Sequence, residues 1–130
     1  MVKRSIVHKD GLSLTVNLKH SDFGDVVYFD KNENKKYVLE GTPVKVKTGG
    51  DVYKNVVEVI PTKATEKADG FVIGDAELKH YNDYETGTIL LQGVVYFDKV
   101  LEAIQDFKTP FAFTLTEMPA KITAIYKNRV

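Results

Sequence analysis

Cysteine is absent from the chain's 130 residues, which removes disulfide stapling, thiolate zinc sites and cysteine nucleophiles together. An excess charge of either sign is missing as well: 18 Lys and Arg balance 18 Asp and Glu, for a formal net charge of zero. The basic residues are scattered, whereas neutralising a phosphate backbone takes clustered cations, so nucleic acid is not an expected partner. Such a near-neutral surface also gives little protection against self-association. No apolar run approaches the roughly 20 residues of a membrane-spanning helix, and residues 1–7 lack the apolar stretch of a signal peptide. The chain is therefore expected to stay in aqueous solution, with no membrane partner.

Several chemistries lack their motif. No serine lies in Gly-x-Ser-x-Gly, and Gly49-Gly50 has neither the spacing nor the following Lys-Ser or Lys-Thr of a phosphate-binding loop. Asp22-Phe23-Gly24 copies three letters of the kinase magnesium motif without the glycine-rich loop and catalytic loop that give it meaning.

What is present is β-forming sequence of one-domain size. Leu12, Leu14, Val16 and Leu18 alternate with Ser13, Thr15, Asn17 and Lys19, the two-residue period of a strand with one buried face. Residues 25–29 and Tyr37-Val38-Leu39 read as two strands joined by a solvated turn over 30–36. Val44 to Lys47 and Val52 to Ile60, separated by Thr48-Gly49-Gly50-Asp51, read as a hairpin whose glycines supply positive φ. Pro61 ends its second strand, and the polar stretch 61–70 is the longest loop. Phe71-Val72-Ile73 resumes strand character. Residues 89–97 form the most hydrophobic run, apolar on both faces as in a central strand or one buried in a subunit contact. Gly93 inside it predicts a bulge or bend.

From Asp98 the period changes: Val100, Leu101, Ile104 and Phe107 share a helical face, with Asp98 placed as N-cap. After Pro110, Phe111, Phe113 and Leu115 alternate with polar or small residues, and 122–126 is again strand-like, so 108–130 predicts a C-terminal strand pair. The expected fold is mainly β: a compact barrel or sandwich of eight or nine short strands, with one short helix near 98–107. Val-Val-Tyr-Phe-Asp-Lys occurs at 26–31 and again at 94–99. The flanks do not follow at the same offset, so coincidence explains the repeat better than duplication.

Histidine and carboxylate groups invite a metal or acid–base reading: His8 near Asp10, His20 near Asp22, and His80 near Asp83 and Glu85. A metal site needs three or four converging ligands, and imidazole beside carboxylate is common on any surface. The carboxylates at Asp22, Asp25, Asp30 and Glu33, and at Asp75, Glu77, Asp83 and Glu85, sit in polar loop sequence where solvation keeps both members of a pair ionised. No enzyme, metal or cofactor is therefore expected. Strand tyrosines with neighbouring acids, as in Asp83-Tyr84-Glu85, leave open a ligand- or carbohydrate-binding β-domain of a fibre or surface assembly.

Gly41-Thr42-Pro43-Val44 opening a strand, the strand Gly70-Phe71-Val72-Ile73-Gly74-Asp75, and Thr86-Gly87-Thr88 leading through Ile89 to Gly93-Val94-Val95 carry a resemblance. Together with the short helix that follows, this order resembles the β-domain of tailed-phage capsid decoration proteins of the lambda type and related head-fibre proteins. The similarity covers 41–107; residues 1–40 and 108–130 are additional and would enlarge the same single domain of 1–130. The resemblance implies an auxiliary structural protein on the exterior of a virion, synthesised in the host cytoplasm, commonly trimeric. Its partner would be the major capsid protein, whose neighbouring subunits it braces, and the family has no catalytic residues. It directs attention to Leu90, Val94 and Tyr96 as an oligomer interface. Ser5, Ile6 and Val7 are a candidate capsid-contact strand, with an edge strand of the chain's own sheet as the simpler reading.

Overall fold

In the computed structural model, which describes residues 5–47, 57–79 and 82–127, the alternating segments form nine strands in two sheets with one α-helix, a mainly β fold. The strands are β1 (Val7–Lys19), β2 (Tyr28–Asp30), β3 (Lys35–Val38), β4 (Pro43–Val46), β5 (Val57–Pro61), β6 (Gly70–Ile73), β7 (Ala76–Glu77), β8 (Tyr84–Tyr96) and β9 (Ile122–Ile125), and the helix is α1 (Phe97–Gln105).

The larger sheet runs β1-β5-β4-β6-β8, and β8 returns to pair with β1, closing a five-stranded ring. β1 and β5 are parallel; the other four pairings are antiparallel. Closure leaves no free edge within the ring, the usual β-protein defence against edge-to-edge association. β8 outruns the ring: Phe71 to Ile73 pair with Leu90 to Thr88, and beyond them Gly93 to Tyr96 pair in parallel with Ile122 to Ile125 of β9. Ile89 and Leu90 are consecutive and both fully buried. Consecutive strand side chains point to opposite faces, so β8 is covered on both sides here, as its unbroken apolar run requires.

Gly93 sits where β1 and β8 lose register. The pairing shifts between Asp10 and Leu12, opposite Gly93 and Gln92, and Gly93 has φ +149°, with the Lys9 carbonyl oxygen 2.4 Å from where a Cβ would stand. The bulge expected from the sequence is there, and glycine is what admits it.

The three-stranded sheet β2-β3-β7 is a hairpin plus a short strand. Its turn is organised by the buried Asp30, whose Oδ1 accepts from the backbone N–H groups of Asn32 (3.0 Å) and Glu33 (3.2 Å). Burial works to raise the Asp30 carboxyl, but those N–H groups outweigh it and hold the group below the usual carboxylate range. Asn34 closes the turn with φ 55°, the left-handed conformation that asparagine tolerates better than most residues.

One cluster of buried side chains unites the fold, drawing Ile6, Val16, Leu18, Phe23 and Val38 from the first forty residues, Val44, Val59, Phe71, Ile89 and Phe97 from the middle, and Phe113 and Ile122 from the end. The amino-terminal segment is tied in by Glu40. Its carboxylate accepts from the backbone N–H of Ile6 (2.8 Å) and of Gly74 (2.6 Å), while its own N–H donates to Asp75 Oδ1 (2.8 Å). Glu40→Ala strands two backbone donors and is expected to cost about 1–3 kcal/mol. Glu40→Gln, which keeps one carbonyl acceptor, should recover part of that in urea unfolding; equal stability of the two variants would refute the clasp.

Three sequence expectations are corrected. Phe111 to Leu115 is not a strand: the chain there is irregular, then makes a 3-10 turn at Leu115–Glu117, so β9 stands alone in the carboxy-terminal segment. Asp98 is not the N-cap of α1: the cap is Tyr96, without a side-chain bond, and Asp98 lies in the first turn, accepting from the Lys127 N–H at 2.9 Å. Its position still suits a carboxylate, which the positive helix start favours. Finally, Leu12 lies outside the core at 48% exposure although Val16 and Leu18 on the same alternation are fully buried. The bulges at Asp10–Ser13 break the face that the pattern implied. The Gly49-Gly50 turn and the adjoining start of the next strand lie outside the described residues; the antiparallel pairing of β4 with β5 that they connect is present.

Candidate functional site

The residues singled out for assembly divide by burial. Leu90 is fully buried in the chain's own core, so its side chain has nothing to offer a partner; the ring itself accounts for its apolar character. Val94 and Tyr96 are half-buried near the end of β8, but Tyr96 is engaged: His8 Nδ1 lies 2.8 Å from its hydroxyl and the Lys127 ammonium 5.4 Å from its ring centre. Ile6 is also fully buried; its N–H is held by Glu40 and its carbonyl accepts from the Tyr96 N–H at 2.7 Å. Val7 pairs with Val95. Val7 is thus part of the chain's own sheet and Ile6 is tied to it through its backbone, in line with the simpler reading of this segment, while Ser5 is exposed at its margin.

The acid–base candidates do not converge. Among the described residues no three His, Asp or Glu side chains come together in a way that would hold a metal ion. His8 is on the Tyr96 edge, His20 stands in a 3-10 turn with Nε2 3.7 Å from Glu85 Oε1, and His80 lies outside the described residues. The carboxylates instead organise loops. Glu85 accepts from the Asn82 amide (2.9 Å) and the Lys79 N–H (3.3 Å), Asp75 from Glu40, and Asp22 approaches Lys47 at 3.9 Å. Phe23 of the Asp-Phe-Gly triplet is a fully buried core anchor. Tyr84 is exposed, with the Lys19 ammonium 5.9 Å from its ring centre, so that ring is one face of a cation–π pair.

Glu66 is the clearest ion-pair site. Its carboxylate receives the Lys45 ammonium and, at 2.9 Å, the Lys63 N–H; the Lys45 hydrogen bond above all holds the Glu66 carboxyl below the usual glutamate range. A depressed folded-state value means that the pair's contribution is complete above the unfolded value near 4.5 and is lost as pH falls through the folded one. The stability gap between the chain and Glu66→Gln is therefore expected to close as the medium is acidified below that value; a gap constant from pH about 7 to about 3 would refute the pair. Both side chains are about one-third exposed, so the gap is small and salt-sensitive.

A concavity lies elsewhere. A cleft of about 860 Å³ lies beside the three-stranded sheet, lined from the hairpin by Val27, Phe29, Glu33, Asn34, Lys35 and Lys36, from β7 and its continuation by Glu77, Leu78 and Lys79, and from the 3-10 turn by His20 and Gly24. Sequence reading took the hairpin charges as a wet turn. The cleft is created by the pairing of β3 with β7, which puts Lys36 beside Leu78; forty residues of intervening chain hide that neighbourhood from any local pattern. Comparison with family models, with curated proteins and with solved structures found no match.

Proposed function

We propose that the chain is an auxiliary, decoration-type protein of a bacteriophage capsid, binding the outer shell and stabilising contacts between major capsid subunits. The observation that carries the reading is where the resembling segments lie. Gly41 to Val44 lead into β4, Gly70 to Ile73 are β6, and Thr86 to Val95 are β8, three adjacent strands of the closed ring, followed at once by α1. A ring without free edges is rigid, as a brace between subunits must be, and Asp30, Glu40, Glu66, Asp75 and Glu85 serve hydrogen bonds and ion pairs of the fold itself, consistent with a structural role.

The role calls for many copies on each particle. Mass spectrometry of purified virions from a phage encoding this chain is expected to find it in fixed proportion to the major capsid protein. Its absence from intact virions would overturn the reading. Light scattering supplies a second expectation: a species of about three times the 14.6 kDa chain, in the free protein or when bound to shells.

A further inference from the structure

The cleft beside the three-stranded sheet has features that its structural role does not use. In the register of that sheet, Phe29 is opposite Lys36, Tyr28 is opposite Tyr37, which on its other side is opposite Glu77, and Val38 is opposite Ala76. By alternation, Val27, Phe29, Lys36, Val38, Ala76 and Leu78 share one face. Val27, Val38 and Leu78 are buried against the core, but Phe29, on the same face, remains 45% exposed. The sheet thus overhangs the core it covers, and Phe29 is the apolar shelf of the overhang.

The charges around it are unequally engaged. The Lys35 ammonium is shared between Glu77 at 3.6 Å and Glu33 at 3.8 Å, with Glu77 foremost in holding it above the usual lysine range. Lys36 and Lys79 are exposed, and among the described residues neither ammonium has an ion-pair partner. His20 Nε2 is buried without a hydrogen-bond partner among the described residues. The cleft therefore combines an aromatic shelf, two cations without an ion-pair partner among the described residues, and the amide of Asn34. Its volume lies within the range of small-molecule sites.

We propose that this cleft binds an acidic saccharide, with the sugar's flat C–H face on the Phe29 ring, its carboxylate against Lys36 and Lys79, and its hydroxyls toward Asn34. Each moiety answers a feature present. A polyphosphate would bring more negative charge than Lys36 and Lys79 can neutralise. An apolar ligand would leave the charged rim desolvated and unpaired. A sugar carboxylate brings one charge for those cations, and its hydroxyls both donate and accept at a polar rim such as the Asn34 amide. The site is on the smaller sheet, away from the ring strands on which the capsid reading rests, so either reading can fail without the other.

The test is an amide NMR titration of the full chain with tetragalacturonate, with the neutral galactose tetrasaccharide and with benzoate. Tetragalacturonate is expected to shift the amides of Phe29, Lys36 and Leu78 saturably. Phe29→Ala and Lys36→Gln are each expected to weaken it about tenfold, and the neutral sugar should bind at least as much more weakly. Both substitutions are at exposed side chains, and an unchanged melting temperature separates lost binding from lost fold. Failure of tetragalacturonate to saturate by about 10 mM overturns the proposal, as does binding that neither substitution weakens. Benzoate saturating the same amides when the acidic sugar does not would overturn the saccharide class.

Discussion

Gly93→Ala is expected to be among the most destabilising single-methyl changes in the chain. The added Cβ would stand 2.4 Å from the Lys9 carbonyl oxygen, an atom of the neighbouring strand's backbone, and the residue keeps φ at +149°, a conformation that L side chains rarely adopt. Clash and backbone strain each cost on the order of 1–3 kcal/mol, against a total stability of about 5–15 kcal/mol for a typical domain. Two other glycines make the comparison interpretable. A Cβ on Gly70 would meet the Leu90 carbonyl oxygen at 2.3 Å, without a positive φ, so Gly70→Ala isolates the clash. Gly24 has open space around its added Cβ, and Gly24→Ala should be close to neutral or slightly stabilising through the unfolded chain. In urea unfolding the expected order of stability is Gly24→Ala, then Gly70→Ala, then Gly93→Ala. A Gly93→Ala protein as stable as Gly24→Ala would mean that β1 and β8 do not bulge as described.

The same glycine marks how far the sequence was legible. A glycine interrupting an otherwise apolar run has few structural explanations, and a bulge is one that the run itself suggests. Strand positions were readable for a similar reason: alternation in Thr15 to Lys19 or apolar continuity in Ile89 to Leu91 reflects what each face touches. Alternation misled where a second cause produces it. Phe111, Phe113 and Leu115 alternate, yet only Phe113 is buried, with its ring 5.9 Å from Phe71 and 6.1 Å from Phe97. An extended segment that drops one aromatic into a gap has the same period as a strand without a strand beside it. Thr114 then turns the chain, its Oγ1 accepting from the Thr116 N–H at 3.3 Å. Nor can a local pattern say that β8 closes on β1, which joins residues 65 to 88 apart, or that Phe29 overhangs the core. Those facts depend on which strands meet.

The repeated hexapeptide turns that distinction into an expected result. Val-Val-Tyr-Phe-Asp-Lys occurs twice, and its two phenylalanines have opposite fates. In the first copy Tyr28-Phe29-Asp30 is strand β2, and Phe29 is 45% exposed; in the second, Tyr96 ends β8, Phe97-Asp98-Lys99 begins α1, and Phe97 is 3% exposed. The flanks decide. After Lys31 come Asn32 and Glu33, whose N–H groups Asp30 collects into a turn. After Lys99, by contrast, Val100, Ala103 and Ile104 supply a buried helical face that draws Phe97 inward with them. Phe97 packs against Phe113 and Tyr126, with ring centres 6.1 and 6.0 Å away. Phe97→Ala is expected to cost about 3–5 kcal/mol, because it removes the buried surface and leaves a cavity where α1, β8 and β9 meet. Phe29→Ala, at the same place in the same six letters, is expected to stay within about 0.5 kcal/mol of the parent chain. Equal losses for the two would show that the hexapeptide carries its own structure; the predicted disparity would show that the environment assigns it.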